Sequence, residues 1–193
     1  MHFDERKATA VAAYFLELAG GLLEDLKLMK LMYFAEREAI RCRNVGITGD
    51  RFYSMQNGPV LSQTLNLMAD KEETGSGKEW NAHIHTPRRW HVRLARRVDI
   101  ASVLSVREIE ILDAVWSEHG GKNKWNLVDL AHAFPEWDKR ARDYKTSILI
   151  RRIDLLGALG LRKAAIQSRL AEDRAALGLD EALADAHRAY APV

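Results

Sequence analysis

Apolar residues recur along this chain mostly at the spacing of helices. Within residues 4–19, Val11, Tyr14, Phe15 and Leu18 form an i, i+3, i+4, i+7 stripe, and Gly20-Gly21 closes the segment. Residues 22–42 repeat the pattern more strongly: Leu28, Leu31, Met32, Ala35 and Ala39 share one side, while Lys27, Lys30, Arg37 and Arg41 fall outside it. Helical spacing returns over residues 60–69. Ser105 and Glu108 make a capping box, in which each side chain satisfies a free amide at a helix start. The helix predicted behind it carries Ile109, Leu112, Val115 and Trp116 and stops near Gly120-Gly121. Further helices are expected over residues 126–134 and 136–157, and residues 161–190 read as a charged amphipathic end suited to a helical hairpin.

Other stretches break the helical period. Residues 47–53 read as a short turn and strand. Alternation from Phe52 to Met55 turns one of Phe52 and Tyr53 inward and the other outward. Asn57 and Gly58 then accept the backbone of a tight turn, and a residue before proline is pushed away from helical geometry. Pro59 suits the first turn of a helix, where its missing amide costs nothing, so the junction reads as a strand delivered into a helix. The packed face of that helix would begin with Val60, Leu61, Leu65 and Met68. Residues 71–78 are polar and glycine-containing and are expected as a surface loop. Residues 80–85 and 90–94 alternate with period two around Pro87, which predicts a hairpin burying Trp90, Val92 and Leu94. The sum is a mostly α fold with a small antiparallel β element (α+β). We expect a compact helical domain with a β-hairpin over residues 1–160, and a helical C-terminal extension over 161–193, packed on it or appended to it.

Composition narrows the function classes. With 47% apolar and 29% charged residues the 193-residue chain is globular rather than disordered, and a formal charge of +2 makes it no strong polyanion binder. A single cysteine, Cys42, rules out an intramolecular disulfide and a cysteine-cluster zinc site. The opening MHFDERKATAVAAYF is unlike a secretory signal, and no apolar run reaches the roughly 18 residues of a membrane helix, so a reducing cytoplasm is the expected location.

The search for chemistry assigns no catalytic residue, cofactor or metal. Walker-type loops, a strand-linked GxGxxG, a GxSxG elbow and an HExxH helix are all missing. Cys42 lies between Arg41 and Arg43, which would lower its pKa, yet its place late on an amphipathic helix suits an incidental thiol. His83 and His85 would share a strand face with His91 opposite, a geometry open to a transition metal but without a matching acidic ligand. Arg88, Arg89, Arg93, Arg96 and Arg97 surround Trp90, a mixture that contacts phosphate and stacks on bases in nucleic-acid binders, and that equally suits an acidic protein partner. Trp125 and Trp137 bracket a segment in which His132 reads as a core or corner residue before Pro135. Exposed aromatic residues there would make a protein-binding anchor.

Three stretches in order carry a family resemblance. The run from Lys27, KLMKLMYFAE, is similar to a K-L-x-K-L-x-Y-[FY]-A helix. Gly49-Asp50-Arg51-Phe52, leading through Met55 to Asn57-Gly58-Pro59-Val60, looks like a short strand followed by x-G-P-V. Leu130-Ala131-His132 with Pro135-Glu136-Trp137 is similar to a late L-[ST]-H…W element, with Ala131 standing where a small hydroxyl residue is usual. Together they resemble the Panacea-domain family of antitoxins, which includes the SocA-like proteins, over roughly residues 8–160; the Arg-rich hairpin and the C-terminal tail have no counterpart in the pattern. The resemblance implies a non-enzymatic bacterial antitoxin that neutralises a cognate protein toxin by direct contact. For SocA-like members it further implies a proteolytic adaptor that delivers the toxin to the ClpXP protease. On motif position and residue type, the candidate toxin contacts are Tyr33, Tyr53, Met55 and Trp137 as anchors, with Arg51, Arg88 and Arg89 steering an acidic surface. The alternative is a nucleic-acid-binding regulator that uses the patch from Arg88 to Arg97.

Overall fold

Asp4 starts the first helix by accepting a hydrogen bond from the Lys7 amide, and α1 runs Glu5–Leu18. The computed structural model describes residues 2–69, 77–88 and 90–189, and within these the side chains of all but 87, 88, 177 and 179–189. Two compact units divide the chain, His2–Ile150 and Arg151–Val193.

In the first unit Gly20 and Gly21, at φ +77 and +94, end α1 and turn the chain directly into a strand, β1 (Leu22–Glu24). The helix expected from residue 22 therefore begins later, as α2 (Asp25–Arg43), and closes on a left-handed Asn44. The predicted stripe of α2 is buried, but so is almost every neighbour: the run from Leu28 to Glu36 is buried throughout. Lys30, expected outside the stripe, is 0% exposed. The reason is that α2 is packed on several sides, against α1, against α6 (Val106–His119) and α7 (Lys124–His132), and against a strand treated next.

That strand is the largest departure from the sequence reading. Gly58–Leu61 is β3, not the start of a helix, and it pairs antiparallel with β2 (Phe52–Met55) in the register Met55↔Gly58, Ser54↔Pro59, Tyr53↔Val60 and Phe52↔Leu61. The reversal takes only Gln56 and Asn57, and Gly58 supplies the left-handed backbone at φ +91. Proline is tolerated at position 59 because its carbonyl points away from β2 to Lys30 Nζ. In an antiparallel strand the nitrogen of the same residue points the same way, so no ladder bond is lost. A helix does follow, α3 (Ser62–Met68), and buried Asp50 receives it: its carboxylate accepts from the amides of Gln63 and Thr64 at 2.9 and 2.8 Å. Neither Phe52 nor Tyr53 is turned wholly inward or outward; both are half-buried against the core.

The expected hairpin around Pro87 exists but is shifted. Residues 78–83 form a short helix, α4 (Lys78–His83), and the pairing strands are β4 (Ile84–Arg88) and β5 (His91–Leu94). His83 thus ends a helix and does not share a strand face with His85. Val92 is buried as expected and Leu94 half-buried, whereas Trp90 is 58% exposed. Trp90 takes a left-handed backbone, φ +69, which breaks the alternation just where β5 begins. Two three-stranded antiparallel sheets result, ordered β1-β5-β4 and β3-β2-β6, with β6 at Ile148–Leu149. Most of the loop expected over residues 71–78 lies outside the described residues.

The capping box forms as predicted: Ser105 N donates to Glu108 Oε2 at 2.8 Å while Glu108 N donates to Ser105 Oγ. Just before the box lies α5 (Ile100–Val103), packed on α1. The single helix expected over residues 136–157 is instead a turn, a four-residue α8 (Arg140–Asp143), the β6 strand and α9 (Arg152–Ala158). In the second unit α9 packs with α10 (Lys163–Ala189), where Arg152 Nε meets Asp173 Oδ2 at 2.9 Å. α10 is one 27-residue helix and not a hairpin.

Candidate functional site

The three motif stretches are far apart in the chain and meet at one place. α2 contributes Met29, Lys30, Tyr33 and Arg37; the β2–β3 hairpin contributes its tip; α7 and the turn after it contribute His132, Glu136 and Trp137. Lys30 Nζ donates to the Pro59 carbonyl at 2.7 Å, and the Leu61 amide donates to Met29 Sδ at 3.4 Å. Side chains of α2 therefore cover the outer edge of β3, which would otherwise present unpaired backbone groups. On the other side the Trp137 indole donates to the Met55 carbonyl at 3.1 Å, and the Asp138 amide donates to Ser54 Oγ at 3.0 Å. The hairpin is held from both flanks.

Tyr33 and Arg37 lock the third element to α2. Tyr33 OH and Arg37 Nε both donate to Glu136 Oε1, at 3.0 and 2.7 Å, and the Arg37 guanidinium lies 4.2 Å from the Phe134 ring centre. Tyr33 also makes an edge contact with Phe52 at 5.6 Å and stacks with Phe134 at 6.2 Å. Burial, and then the neighbouring Glu136 carboxylate, push the Tyr33 phenol well above its ordinary pKa. His132 stacks on Trp137 with ring centres 3.9 Å apart, in keeping with a corner residue. Burial lowers its pKa; a backbone hydrogen bond with Gln56 opposes this and the nearby Lys30 charge adds to it. Burial alone lowers the Lys30 pKa to about 7. Gly58 sits between these groups: a Cβ there would lie 3.2 Å from both Lys30 Nζ and Ala131 Cβ.

Outside this joint runs an open groove of about 660 Å³, whose lining includes Met29, Met55, Leu65 and Met68, with Trp90 and Trp125 also on it. Trp125, 56% exposed, stands at the start of α7, where Asn123 Oδ1 accepts from the amides of Trp125 and Asn126. The sequence signal for it was available: Trp125 falls off the buried stripe of Leu127, Val128 and Ala131. Lys30 and Glu136, both buried and both structural, carried no such signal.

The candidate contacts distribute unevenly. Met55 lines the groove and is half-buried, Tyr53 and Trp137 are half-buried, and Arg51 is exposed. Tyr33 is 0% exposed, so it does not reach the surface and acts on the site from within, by holding Glu136 and packing on Phe52 and Phe134. The Arg88 side chain and all of Arg89 lie outside the described residues. Of the other features, the His83 and His85 rings are within 3.3 and 3.2 Å of the Arg96 and Asn81 carbonyls. Among the described residues no group of three or more His, Cys, Asp or Glu is placed to hold a metal ion. Cys42 is exposed, and its pKa is raised rather than lowered, because the Glu38 carboxylate accepts from its thiol at 3.1 Å and outweighs the arginines. No helix in the described residues is long and apolar enough to cross a membrane.

Comparison with known families agrees with this geometry. A family model described as Antitoxin SocA-like, Panacea domain, matches residues 28–138, more than half of the chain and a span that holds all of the three converging stretches except Lys27. The chain belongs to that antitoxin family. Comparison with curated proteins and with solved structures gave no match.

Proposed function

We propose that this chain is the antitoxin of a toxin–antitoxin pair and neutralises its cognate protein toxin by direct contact. The observation that carries the reading is the family match over residues 28–138, which supports an antitoxin role. The joint adds physical support. Lys30, Tyr33, Ser54 and Trp137 are used internally to fix a β-hairpin and a helix end, and a rigid frame of that kind presents a surface without ordering cost on binding. Met55, Tyr53, Trp137 and Arg51 stand at or near that surface as contact candidates, with Arg88 and Arg89 as further steering candidates from the sequence. The test is co-expression with the protein encoded beside this chain's gene: growth arrest by that protein alone and rescue by this chain support the reading, and arrest unrelieved by this chain contradicts it.

The adaptor form of the reading adds delivery of the bound toxin to ClpXP. Its support is the SocA-like family alone. Toxin half-life in a purified ClpXP reaction separates the two: a half-life shortened by this chain supports delivery, and an unchanged one leaves blocking by contact.

A further inference from the structure

The stretch from Trp80 to Val98 holds five arginines and three histidines and not one aspartate or glutamate. Against a net charge of +2 for the whole chain, that is a local concentration of positive charge. The β1-β5-β4 sheet carries it to the surface. Successive side chains of a strand point to opposite faces. On one face Leu23, Val92 and Ile84 are buried, and α1 and α2 pack on β1 and β5. The register sets Leu22, Arg93 and His85 side by side on the other face, and all three are exposed. Beyond the end of β5 the Ala95 and Arg96 amides both donate to the His83 carbonyl, at 2.8 and 3.2 Å, which fixes the chain there. Arg96 and Arg97 are exposed at that place, the Arg97 side chain to 90%. Before the start of β5 the Trp90 ring is 58% exposed, on a backbone whose carbonyl accepts from the Asp25 amide.

Acidic side chains reach this stretch from neighbouring elements. Glu24, paired in register with His91, binds Lys124. Glu79 comes within 3.8 Å of His83 and Glu17 within 3.9 Å of Arg97, both at the surface, where such contacts are weak and give way to a stronger anion. Asp25 and Asp99 add a carboxylate near either end of β5, which confines the attraction to the strand between them. A guanidinium offers phosphate two parallel donors, and exposed rings offer bases a stacking face. The carboxylates of an acidic protein would engage the arginines and leave the rings unused. A single strand of nucleic acid uses both, because its bases are not already stacked in a duplex.

We infer that the outer face of the β1-β5-β4 sheet binds single-stranded nucleic acid, with Arg93, Arg96 and Arg97 on its phosphates and Trp90 and His85 against its bases. The inference does not rest on the antitoxin reading, and its test uses no toxin. The probe is a fluorescent single strand of about 20 nucleotides, titrated into the purified full-length chain and read by anisotropy. Three phosphate contacts predict a log–log salt slope of about −2, so affinity is expected to fall roughly 15-fold between about 50 and 200 mM salt. Arg93→Ala combined with Arg96→Ala is expected to weaken binding about 10-fold or more at the lower salt and to bring the slope to about −0.7. Arg93→Lys combined with Arg96→Lys keeps the charges and is expected to keep the slope. Trp90→Gly suits the left-handed backbone at φ +69 and removes the ring; it is expected to cost about fivefold or more with the slope unchanged. Arg140→Ala, at an exposed arginine of α8 paired with Asp138, is expected to stay within about twofold.

Melting curves check folding, and the lysine pair carries the slope test if the alanine pair melts early: a slope lost with the charges kept would overturn the inference. No binding of the strand by the wild type at the lower salt would overturn it. So would binding that both the alanine pair and Trp90→Gly leave unchanged. Competition by poly-glutamate of equal charge as strong as by unlabelled strand, with no effect of Trp90→Gly, would assign the face to an acidic protein and overturn it as well.

Discussion

Tyr33 and Glu136, 103 residues apart, are joined by a buried hydrogen bond of 3.0 Å, and Arg37 donates to the same carboxylate oxygen. The pair ties the central helix to the turn that carries Trp137. Tyr33→Phe removes one donor and is expected to cost about 1 kcal/mol. Glu136→Ala leaves a buried hydroxyl and a partly buried guanidinium without their acceptor and is expected to cost about 3 kcal/mol. Denaturant unfolding of the two variants checks the order: a larger loss for Tyr33→Phe would contradict this arrangement.

Lys30 predicts a pH dependence. Its pKa is about 7 in the folded chain against 10.5 ordinarily, so between those values the unfolded chain holds the extra proton and stability rises with pH. Below about 7 both states are protonated and the cost is constant and greatest. Relative to Lys30→Met, the wild type is therefore expected to gain stability between pH 7.5 and 9.5, at up to about 1.4 kcal/mol per pH unit. Taking the difference between the two chains removes the other titrating groups. A difference that stays flat over that range would mean that Lys30 is charged in the fold.

Two glycines are expected to resist substitution for different reasons. Gly58→Ala meets a left-handed backbone as well as Lys30 and Ala131, with an expected cost of about 1–2 kcal/mol. Gly46→Ala places a Cβ against Glu36 Oε2, the oxygen that accepts from the Ile47 amide, and displaces a buried carboxylate. Its expected cost is about 2 kcal/mol or more. Gly121→Ala, with open space around it, is the control for both, and thermal unfolding is the readout.

Cys42 is exposed yet expected to react slowly. Glu38 holds its proton, so alkylation at pH 8 is predicted to run slower than that of free cysteine. Glu38→Gln removes the acceptor charge and frees Arg41, and is predicted to speed the reaction. Equal rates for the two chains would show that the arginines, not Glu38, set the thiol.

Helix existence was legible in the sequence because stripe and cap agree: the Ser105–Glu108 box and the Gly20-Gly21 stop act locally and are present in the fold. What failed was decided by partners distant in the chain. Proline at position 59 looked like a helix start because nothing local reveals that its empty amide position faces α2. Lys30 fell outside the apolar stripe and is buried all the same, because a helix packed on several sides loses its polar face. Residues 136–157 looked helical because the β2 strand that captures Ile148 and Leu149 lies some 95 residues earlier. The candidate site shows the same division. The motif order marked three stretches that the fold brings together, and Trp125 stood off its stripe, but only the fold shows that Tyr33 is a buried tie and that Trp90 is exposed.

Neutralisation of a toxin by direct contact is the function we propose for this chain. The most direct measurement is a calorimetric titration of the neighbouring gene's product into the purified chain, at a concentration ratio that rescues growth in cells. Saturable binding is expected in the absence of any protease or nucleic acid. Growth rescue with no binding between the two purified proteins would contradict it.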